Sequence, residues 1–403
     1  MKKNGYSAYF CPMNISEVFE PNRKQTLAIT TLFGVEDLVV DELKSLGAID
    51  IEKGNRVVHC KGDLKVIYKS CLQLRHAIRV LVYLDEFEAA GPEELYDGAV
   101  KLPWEDFLDF KTTFSINFAI HSEHYSHTMY ASLKLKDAIV DRVRDVTGNR
   151  PSIDKVNPDY QFLLHISDEF VSIYLDASGP TLNRRGYRGE SVEAPINETL
   201  ASSLVKMTGW DGKIPLIDGM CGSGTIPIEA VYQARNIPSQ WYRSKFGFNT
   251  WRNYDPALMA QVREEAKAKV KDLETEVFAS DISEISLRSA QHNIKNARCE
   301  NYIQTSLKSF ENLEKPAEHG IIIINPPYGE RLDPDDINNF YREIGDTLKS
   351  NFEGWDAWII TSNKEALKHL GLRTSKRIKL YNGPLETRFV KYELYKGTRK
   401  GQE

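Results

Sequence analysis

The residues best suited to chemistry follow a run of four isoleucines. Asn325-Pro326-Pro327-Tyr328 comes directly after Ile321–Ile324, whose unbroken apolar character predicts a parallel strand buried on both faces. Because two successive prolines restrict the backbone, the Pro326 carbonyl and the Asn325 amide oxygen would be held as hydrogen-bond acceptors. Tyr328 adds an aromatic face. The pattern predicts a site for a planar ring with an exocyclic amine, and a rigid turn at a strand end is the structural alternative.

A glycine-rich loop lies earlier in the chain, between a predicted strand, Leu216–Asp218, and a predicted helix that begins at Thr225. Its G-x-x-G-x-G pattern would let backbone N–H groups approach a ligand at the carboxyl edge of a sheet. The pattern differs from the dinucleotide fingerprint G-x-G-x-x-G, and no Gly-Lys-Ser/Thr follows to make a P-loop. A structural glycine turn is the alternative. The candidate binding residues are Asp218, Gly219, Gly222, Ser223 and Gly224.

An aspartate ends the next predicted strand. Asp281 follows Glu276–Ser280, and a carboxylate there could accept both ribose hydroxyls of a nucleoside ligand. It lies 57 residues past Gly224, far more than the usual spacing of about 20. A predicted helix at about 256–274 and an aromatic stretch around 241–251 fill the interval. An N-cap of the following helix is an equally open explanation for this aspartate.

Hydrophobic periodicity predicts the elements that would position these residues. After Glu198, strands and helices alternate, which indicates a doubly wound α/β domain, and an antiparallel hairpin around Asn382-Gly383 ends it. A β-α-β-α-β run from Thr26 to Leu84 predicts a ferredoxin-like layer. A second α+β unit follows, with a strand at Thr113–His121 and a helix at Ala131–Val146.

Composition limits the class of protein. With 403 residues, 41% apolar and 27% charged, the chain is typical of a soluble globular protein with two or three domains. Disordered, collagen-like and disulfide-scaffold proteins are excluded. The net charge is −5, so any nucleic-acid binding must depend on local basic patches.

The cysteines and the N-terminal residues indicate the cellular location of the protein. The five cysteines are odd in number and lack C-x-x-C spacing, so they predict neither a disulfide framework nor a zinc site. Free thiols favour a cytoplasmic protein. No signal-peptide core and no apolar stretch near 18 residues is present, so no membrane partner is expected. Histidines cluster at His121, His124 and His127, but no helix or carboxylate geometry supports a metal site there, and no metal is expected.

Two motifs resemble those of a known class of enzymes. Asp218–Thr225 resembles the first S-adenosylmethionine motif of class I methyltransferases, and Asn325–Tyr328 resembles the amino-methyltransferase motif. The segments at 194–201, 325–332 and 382–385 are similar to the N-terminal methyltransferase half of the RlmL-type 23S rRNA guanine-N2 methyltransferases.

The resemblance extends over about residues 26–395. Lys134–Val140 and Arg185–Arg188 resemble the family's RNA-binding THUMP domain and its exit. The implied fold class is α/β, a Rossmann-like class I methyltransferase domain with N-terminal ferredoxin-like and THUMP α+β domains. The implied limits are an extension (1–25), a ferredoxin-like domain (26–85), a THUMP domain (86–180), a linker (181–194) and the methyltransferase domain (195–403).

The implied activity is methyl transfer from S-adenosylmethionine to the N2 amine of a guanine in 23S rRNA. Asn325 and Pro326 would orient the amine, and the flipped base would stack on Tyr328. The candidate catalytic residues are Asn325, Pro326, Pro327 and Tyr328. To the cofactor residues above, the resemblance adds Asn197, Ile282 and Asn325.

The sequence departs from the family pattern at two places. Bifunctional members carry a second methyltransferase domain, whereas this chain ends at Glu403, so only the guanine-N2 activity is expected. Members often place an acid after the third strand to contact adenine. Ser309 stands there in this chain, which leaves that contact open.

Basic residues provide candidate RNA contacts, with a solvated basic surface as the alternative. They are Arg184, Arg185 and Arg188 in the linker and Lys376, Arg377 and Lys379 near the C-terminus. Three other functions remain open: an adenine-N6 nucleic-acid methyltransferase, a tRNA guanine-N2 methyltransferase and a non-catalytic RNA-binding assembly factor. The front half favours RNA over DNA, and the intact motif at Asn325–Tyr328 argues against an inactive protein.

Overall fold

A computed structural model describes residues 15–20, 22–125, 127–189, 195–327 and 334–395 of the chain. The described chain divides into two compact units that do not follow sequence order. The first contains the residues up to Thr31, Val39–Leu182 and Arg243–Arg263. The second contains Leu32–Leu38, Asn183–Tyr242 and the residues from Glu264 onward.

The first unit is built on an eight-stranded sheet. Its strands are β1 (Gln25–Thr31), β2 (Ile49–Lys53), β3 (Val57–Gly62), β4 (Ala77–Glu88), β5 (Thr113–His121), β6 (Ser152–Ile153), β7 (Tyr160–Ser167) and β8 (Phe170–Asp176). They are ordered β2-β3-β1-β4-β8-β7-β5-β6. The helices in this part of the sequence are α1 (Glu36–Leu46), α2 (Leu64–Gln73), α3 (Pro92–Ala99) and α4 (Thr128–Thr147).

Strand β4 joins two regions that the sequence analysis treats as separate layers. Its first half pairs with β1, from Ala77 to Val82, and its second half pairs with β8, from Leu81 to Glu88. Both pairings are antiparallel, so the ferredoxin-like region and the α+β region that follows share one continuous sheet. Strand β2 is not predicted because most of its side chains are exposed and it lacks a buried face.

The segment predicted as a loose extension is partly ordered. Ile15–Phe19 forms a short 3-10 helix, and both Ile15 and Phe19 are buried. The Phe19 ring lies 4.9 Å from the ring of Phe107, between centroids. Residues 1–14 of that predicted segment lie outside the described residues.

The second unit contains a seven-stranded sheet. Its strands are β9 (Leu216–Asp218), β10 (Val277–Asp281), β11 (Ile303–Leu307), β12 (Ile321–Ile324), β13 (Asp356–Thr361), β14 (Thr374–Asn382) and β15 (Leu385–Glu393). The helices here are α5 (Glu198–Thr208), α6 (Thr225–Ala234), α7 (Pro256–Lys267), α8 (Glu284–Asn296) and α9 (Pro334–Asn351), with α7 divided between the two units.

The order of this sheet is β11-β10-β9-β12-β13-β15-β14. Strands β9 to β13 run parallel, and β15 pairs antiparallel with both β13 and β14. In β12, Ile321 and Ile323 pack into one apolar cluster, and Ile322 and Ile324 pack into another. Both faces of this strand are therefore covered, which confirms the predicted doubly wound α/β domain.

The order in which strands are added to the sheet reverses at β9, while the strands themselves stay parallel. From β9 the chain adds β10 and then β11 on one side, and it returns to place β12 and β13 on the other. In open α/β sheets, ligands bind in the crevice at such a switch point, beyond the carboxyl ends of the strands. The carboxyl ends of β9 and β12 therefore mark the candidate site.

Candidate functional site

The three predicted motifs meet at one edge of the seven-stranded sheet. Asp218 in β9 aligns with Ala279 in β10 and with Ile323 in β12. The glycine loop starts one residue after Asp218. Asp281 lies two residues after Ala279, and Asn325 lies two residues after Ile323. Neighbouring strands lie about 4.8 Å apart, so the tertiary fold brings the three motifs together.

The glycine loop is tied to the strands on both sides. The N–H of Cys221 donates to the Ser280 carbonyl of β10 at 2.9 Å, and the N–H of Gly219 donates to the Ile323 carbonyl of β12 at 3.3 Å. Gly222 has φ +53°, and a side chain placed there would meet nothing within 4 Å. The backbone at Gly222 thus adopts a left-handed conformation next to open space, as close approach to a ligand requires.

Asp281 holds this loop in place. Its Oδ2 accepts a hydrogen bond from the N–H of Gly222 at 2.8 Å, and its Oδ1 accepts one from the N–H of Ser283 at 2.8 Å. The N-cap of α8 is Ser283, which resolves the alternative that the sequence left open for Asp281. A carboxylate offers about four lone-pair directions, so Asp281 can still accept ligand hydroxyl groups.

Asp218 also forms a hydrogen bond with the glycine loop. Its side chain is buried, and its Oδ1 accepts a hydrogen bond from the N–H of Met220 at 3.3 Å. The pKa of Asp218 is raised to about 8, mainly by burial; the Met220 hydrogen bond opposes the shift, and the nearby Asp281 adds to it. A direct contact between Asp218 and a ligand stays a prediction.

Asn293 is a site residue that the sequence analysis missed. Its Nδ2 donates to the Ser223 carbonyl of the glycine loop at 2.9 Å, and its Oδ1 accepts from the N–H of Gly189 at 3.0 Å. The side chain is buried on α8, between Ala290 and Ala297. A polar residue within the apolar stripe of an amphipathic helix was the signal that could have identified it.

The end of β12 presents an unused acceptor. The amide Oδ1 of Asn325 is buried and has no hydrogen-bond partner among the described residues. Pro326 is buried and Pro327 is exposed. Tyr328, the fourth predicted catalytic residue, lies outside the described residues. A buried acceptor without a donor is rare in proteins and suits a ligand that supplies an N–H group.

The remaining predicted cofactor residues occupy different settings. Asn197 caps α5, where its Oδ1 accepts from the N–H groups of Thr199 at 2.9 Å and Leu200 at 3.3 Å. Ile282 is 75% exposed beside Asp281 and could pack on a flat apolar ligand. The Ser309 hydroxyl accepts a hydrogen bond from Asn312 at 2.7 Å, so it already has a polar partner.

Comparison with known proteins assigns families to three segments of the chain. Residues 185–391 match the family described as RMKL-like, methyltransferase domain. Residues 89–176 match the THUMP domain, and residues 26–81 match the RlmL ferredoxin-like domain. A Synechocystis protein, named as a proposed RNA methyltransferase, is 35% identical over 368 residues, which cover 91% of this chain and 96% of the relative.

The chain belongs to the RMKL-like methyltransferase family. The ribosomal RNA large subunit methyltransferase K/L of Colwellia psychrerythraea is 37% identical over 380 residues, which cover 92% of this chain and 53% of that protein. The chain thus spans about half the length of the K/L relatives that it matches. The predicted family resemblance and fold class are confirmed.

Solved structures agree with this assignment. The crystal structure of SMU.472, a proposed methyltransferase complexed with SAH, has a TM-score of 0.84 and 28% identity and covers 94% of this chain and 100% of its own. A Listeria monocytogenes structure, named as a predicted N6-adenine-specific DNA methylase, has a TM-score of 0.82 and 30% identity. It covers 92% of this chain and 97% of its own.

One predicted RNA contact of this RMKL-like methyltransferase needs correction. The Arg185 side chain is fully buried and forms an ion pair with Glu229 at 3.4 Å. The hydroxyl of Tyr187 donates to the same carboxylate at 3.0 Å. A guanidinium without exposed surface cannot reach a phosphate, so the prediction for Arg185 is wrong. A sequence stretch rich in Gly and Arg does not reveal which arginine points inward.

The other residues predicted to contact RNA differ in whether they form hydrogen bonds within the protein. Arg188 donates through Nη2 to the Ile196 carbonyl at 2.9 Å and to the Thr225 hydroxyl at 3.1 Å, at the start of α6. These bonds give Arg188 a structural role next to the glycine loop. Arg184 in the predicted linker and Lys376, Arg377 and Lys379 on β14 are exposed, and their RNA contacts stay predictions.

Neither a metal-ligand cluster nor a membrane-spanning helix is found in the described part of the RMKL-like chain. Within the described ranges, no group of three or more His, Cys, Asp and Glu side chains could hold a metal ion. Among those same residues, no helix combines the length and apolar character needed to cross a bilayer.

Proposed function

We propose that this chain transfers a methyl group from S-adenosylmethionine to the N2 amine of a guanine in 23S rRNA. The observation that carries the proposal is the buried Asn325 amide oxygen without a partner among the described residues, at the switch point of a methyltransferase-family sheet. An exocyclic amine would supply the missing donor. The names of the K/L relatives support ribosomal RNA as the substrate.

The residues of the switch point fit the proposed cofactor. The open space at Gly222 allows close approach of a ligand to the backbone, and Asp281 retains acceptor capacity for ribose hydroxyls. Exposed Ile282 supplies an apolar surface beside that carboxylate. When bound, S-adenosylmethionine supplies an electrophilic methyl group, so the protein needs to position the two reactants more than to activate either.

The acceptor residues would orient the substrate amine. Asn325 Oδ1 would accept one N–H of the amine, and the Pro326 carbonyl would accept the other. Both acceptors stabilise the positive charge that develops on nitrogen as the nitrogen–carbon bond forms and the carbon–sulfur bond breaks. The methylated nitrogen then loses a proton to solvent, so no strong base is required. Stacking of the base on Tyr328 remains part of the proposal.

The front of the chain would supply the RNA-binding surface. The THUMP match at 89–176 supports RNA as the partner. Because the ferredoxin-like and THUMP regions share one sheet, they would form a single RNA-binding surface. The domain limits 26–85, 86–180 and 195–403, and the cytoplasmic location, remain part of the proposal.

Adenine-N6 methylation is the second candidate function. The Asn325–Pro326 acceptors would suit any exocyclic amine, and the name of the Listeria structure points to adenine in DNA. The matches to the THUMP and RlmL ferredoxin-like domains favour RNA over DNA as the substrate.

Nucleoside mass spectrometry can separate these functions. The purified full chain is incubated with S-adenosylmethionine and, in separate reactions, with 23S rRNA and tRNA from a strain that lacks the corresponding gene, and with DNA. We expect N2-methylguanosine in 23S rRNA. Methylated adenine, or N2-methylguanosine in tRNA alone, would identify a different substrate, and a lack of methylation in every reaction would support the assembly-factor alternative.

A further inference from the structure

A cluster of cations surrounds one partly exposed carboxylate on the outer hairpin of the second unit. Glu386 on β15 pairs with Lys364 at 2.5 Å, Lys379 at 2.8 Å and Arg388 at 3.0 Å. Three positive charges against one negative charge leave a local charge of +2. The hydrogen bonds of Lys364 and Lys379 lower the pKa of Glu386 to about 2, so the carboxylate is ionised at neutral pH.

Two aromatic rings adjoin this cluster. The rings of Phe33 and Tyr381 are 5.4 Å apart between centroids and nearly perpendicular, at 85°. The Lys379 ammonium lies 5.8 Å from the Phe33 ring and 5.4 Å from the Tyr381 ring. Both rings are partly exposed. Cations interleaved with accessible aromatic rings are typical of surfaces that bind single-stranded nucleic acid, since bases stack on rings while cations bind phosphates.

The sheet register places the cluster at the same edge as Asn325. Arg388 in β15 pairs with Thr361, the last residue of β13, and with Lys379 in β14. Strand β13 in turn pairs in parallel with β12, which leads into Asn325. Two or three strand spacings, about 10–14 Å, therefore separate the hairpin from the end of β12. That is the length of about three or four stacked nucleotides.

We propose that Phe33, Tyr381 and the cations around Glu386 form a second RNA-binding site, which holds a single-stranded nucleotide about three or four positions from the target base. One ring would stack on the base of that nucleotide, and Lys364, Lys379 and Arg388 would contact its phosphate. Glu386 keeps the three cations together and limits the strength of the contact. The inference rests on the proposed function, because it assumes that RNA reaches the edge where Asn325 lies.

The identity of the partner follows from the mixture of groups. An acidic peptide would use the cations but would gain little from Phe33, whereas a nucleotide uses both the cations and the rings. Phe33 also belongs to Leu32–Leu38, the short piece of the front half that joins the second unit. The site therefore combines a residue of the ferredoxin-like sequence region with residues of the methyltransferase region.

Charge neutralisation gives a test that misfolding cannot imitate. Glu386→Gln removes the single negative charge of the cluster, and binding of a fluorescein-labelled 20-nucleotide poly(U) to the full chain is measured across salt concentrations. We expect a several-fold gain in affinity and a steeper dependence of affinity on salt. Asp211→Asn is the matched control, since Asp211 forms a comparable exposed pair with Lys213 at 2.8 Å and lies before β9.

Removal of the Phe33 ring tests whether a base stacks at this site. Phe33→Ala should weaken poly(U) binding about tenfold, as expected for the loss of one base–ring stack. Binding of poly(glutamate) should not change. If Glu386→Gln behaves like Asp211→Asn, or if Phe33→Ala weakens poly(glutamate) and poly(U) equally, the cluster is an ion network or an acidic-peptide site and the inference is wrong.

Single-turnover methylation separates this inference from the proposed function. If the parent chain methylates RNA while both variants bind poly(U) as the parent does, only the second RNA site is disproved. If the parent methylates no RNA but the variants shift poly(U) binding as expected, the RNA site is supported and the proposed reaction fails.

Discussion

The ends of β9 and β12 are neighbours in one sheet, yet their polar groups are treated in opposite ways. After β9, the glycine loop is held by Cys221 to β10, by Gly222 to Asp281 and by Ser223 to Asn293. After β12, the Asn325 amide oxygen is buried without a partner among the described residues. The loop after β9 is held by internal hydrogen bonds, whereas the end of β12 has an acceptor that is available to a ligand.

This difference has an energetic meaning. A buried acceptor without a donor costs about 1–3 kcal/mol in the folded protein, and a ligand that brings an N–H group recovers that free energy on binding. A loop whose bonds are already made loses little conformational entropy when a ligand binds. The β9 end is thus suited to a cofactor that must be held in one orientation, and the β12 end to a substrate amine that must be recognised.

Removal of the reserved acceptor should have the largest effect. Asn325→Ala should lower the single-turnover rate of methyl transfer on the order of 10²–10³-fold, the loss typical of one preorganised polar group. The melting temperature should not fall, because the amide oxygen forms no hydrogen bond with any described residue. Asn339→Ala on α9 is the control. This asparagine is exposed, and its Oδ1 accepts a hydrogen bond from Arg342 on the same helix. Full activity in Asn325→Ala would contradict the acceptor role.

Loss of the loop anchor should follow. Asp281→Ala removes the bond to Gly222 and the proposed bonds to the ribose, so affinity for S-adenosylmethionine should fall by about 1.5–3 kcal/mol, or roughly 10- to 150-fold. Asp281→Asn keeps one acceptor and should lose less. Isothermal titration calorimetry measures both values. An unchanged dissociation constant in the alanine variant would show that Asp281 serves the fold alone.

The bond from α8 should contribute less. Asn293→Ala breaks the bonds to Ser223 and Gly189, and cofactor affinity should weaken by about 1–2 kcal/mol. Asn296→Ala, one turn later on the same helix, loses a bond to the Tyr187 carbonyl and leaves the loop untouched. If calorimetry gives equal cofactor affinities for the two variants, Asn293 does not position the loop.

The burial of Asp218 should change the pH dependence of stability and have the smallest effect on methyl transfer. Because the folded pKa of Asp218 is about 8, against an ordinary value of 3.8, the folded protein retains a proton that the unfolded chain releases. The stability that this proton contributes is fully present below about pH 4 and is lost as the pH rises through 8. Asp218→Asn should therefore flatten the decline of melting temperature between pH 4 and pH 8. An unchanged slope in thermal melts would contradict the buried, protonated state.

Much of the fold could be predicted from local patterns. The bounds predicted for Ile321–Ile324 and Thr113–His121 match the strands of the structure, because unbroken or alternating apolar residues report burial directly. The glycine loop and Asn325 could be placed at strand ends for the same reason. Parallel strands in one sheet then imply that these ends share an edge.

The partners of polar groups could not be predicted in this way. Arg185 and Arg184 are adjacent in sequence, yet one is buried against Glu229 and the other is exposed. Asn293 reaches Ser223 across 70 residues of sequence, and β4 joins β8 to merge two regions into one sheet. None of these pairings leaves a local periodic signal.

The sequence by itself determined the alternation of strands and helices, the positions of the glycine loop and the Asn-Pro-Pro-Tyr motif, and the family to which they point. Only the tertiary structure decided that Asp281 anchors the loop, that Arg185 is internal and that Asn325 retains an unused acceptor. The physical reason is the range of the interactions. Burial periodicity depends on near neighbours, whereas the pairing of buried polar groups depends on which distant segments the completed fold brings together.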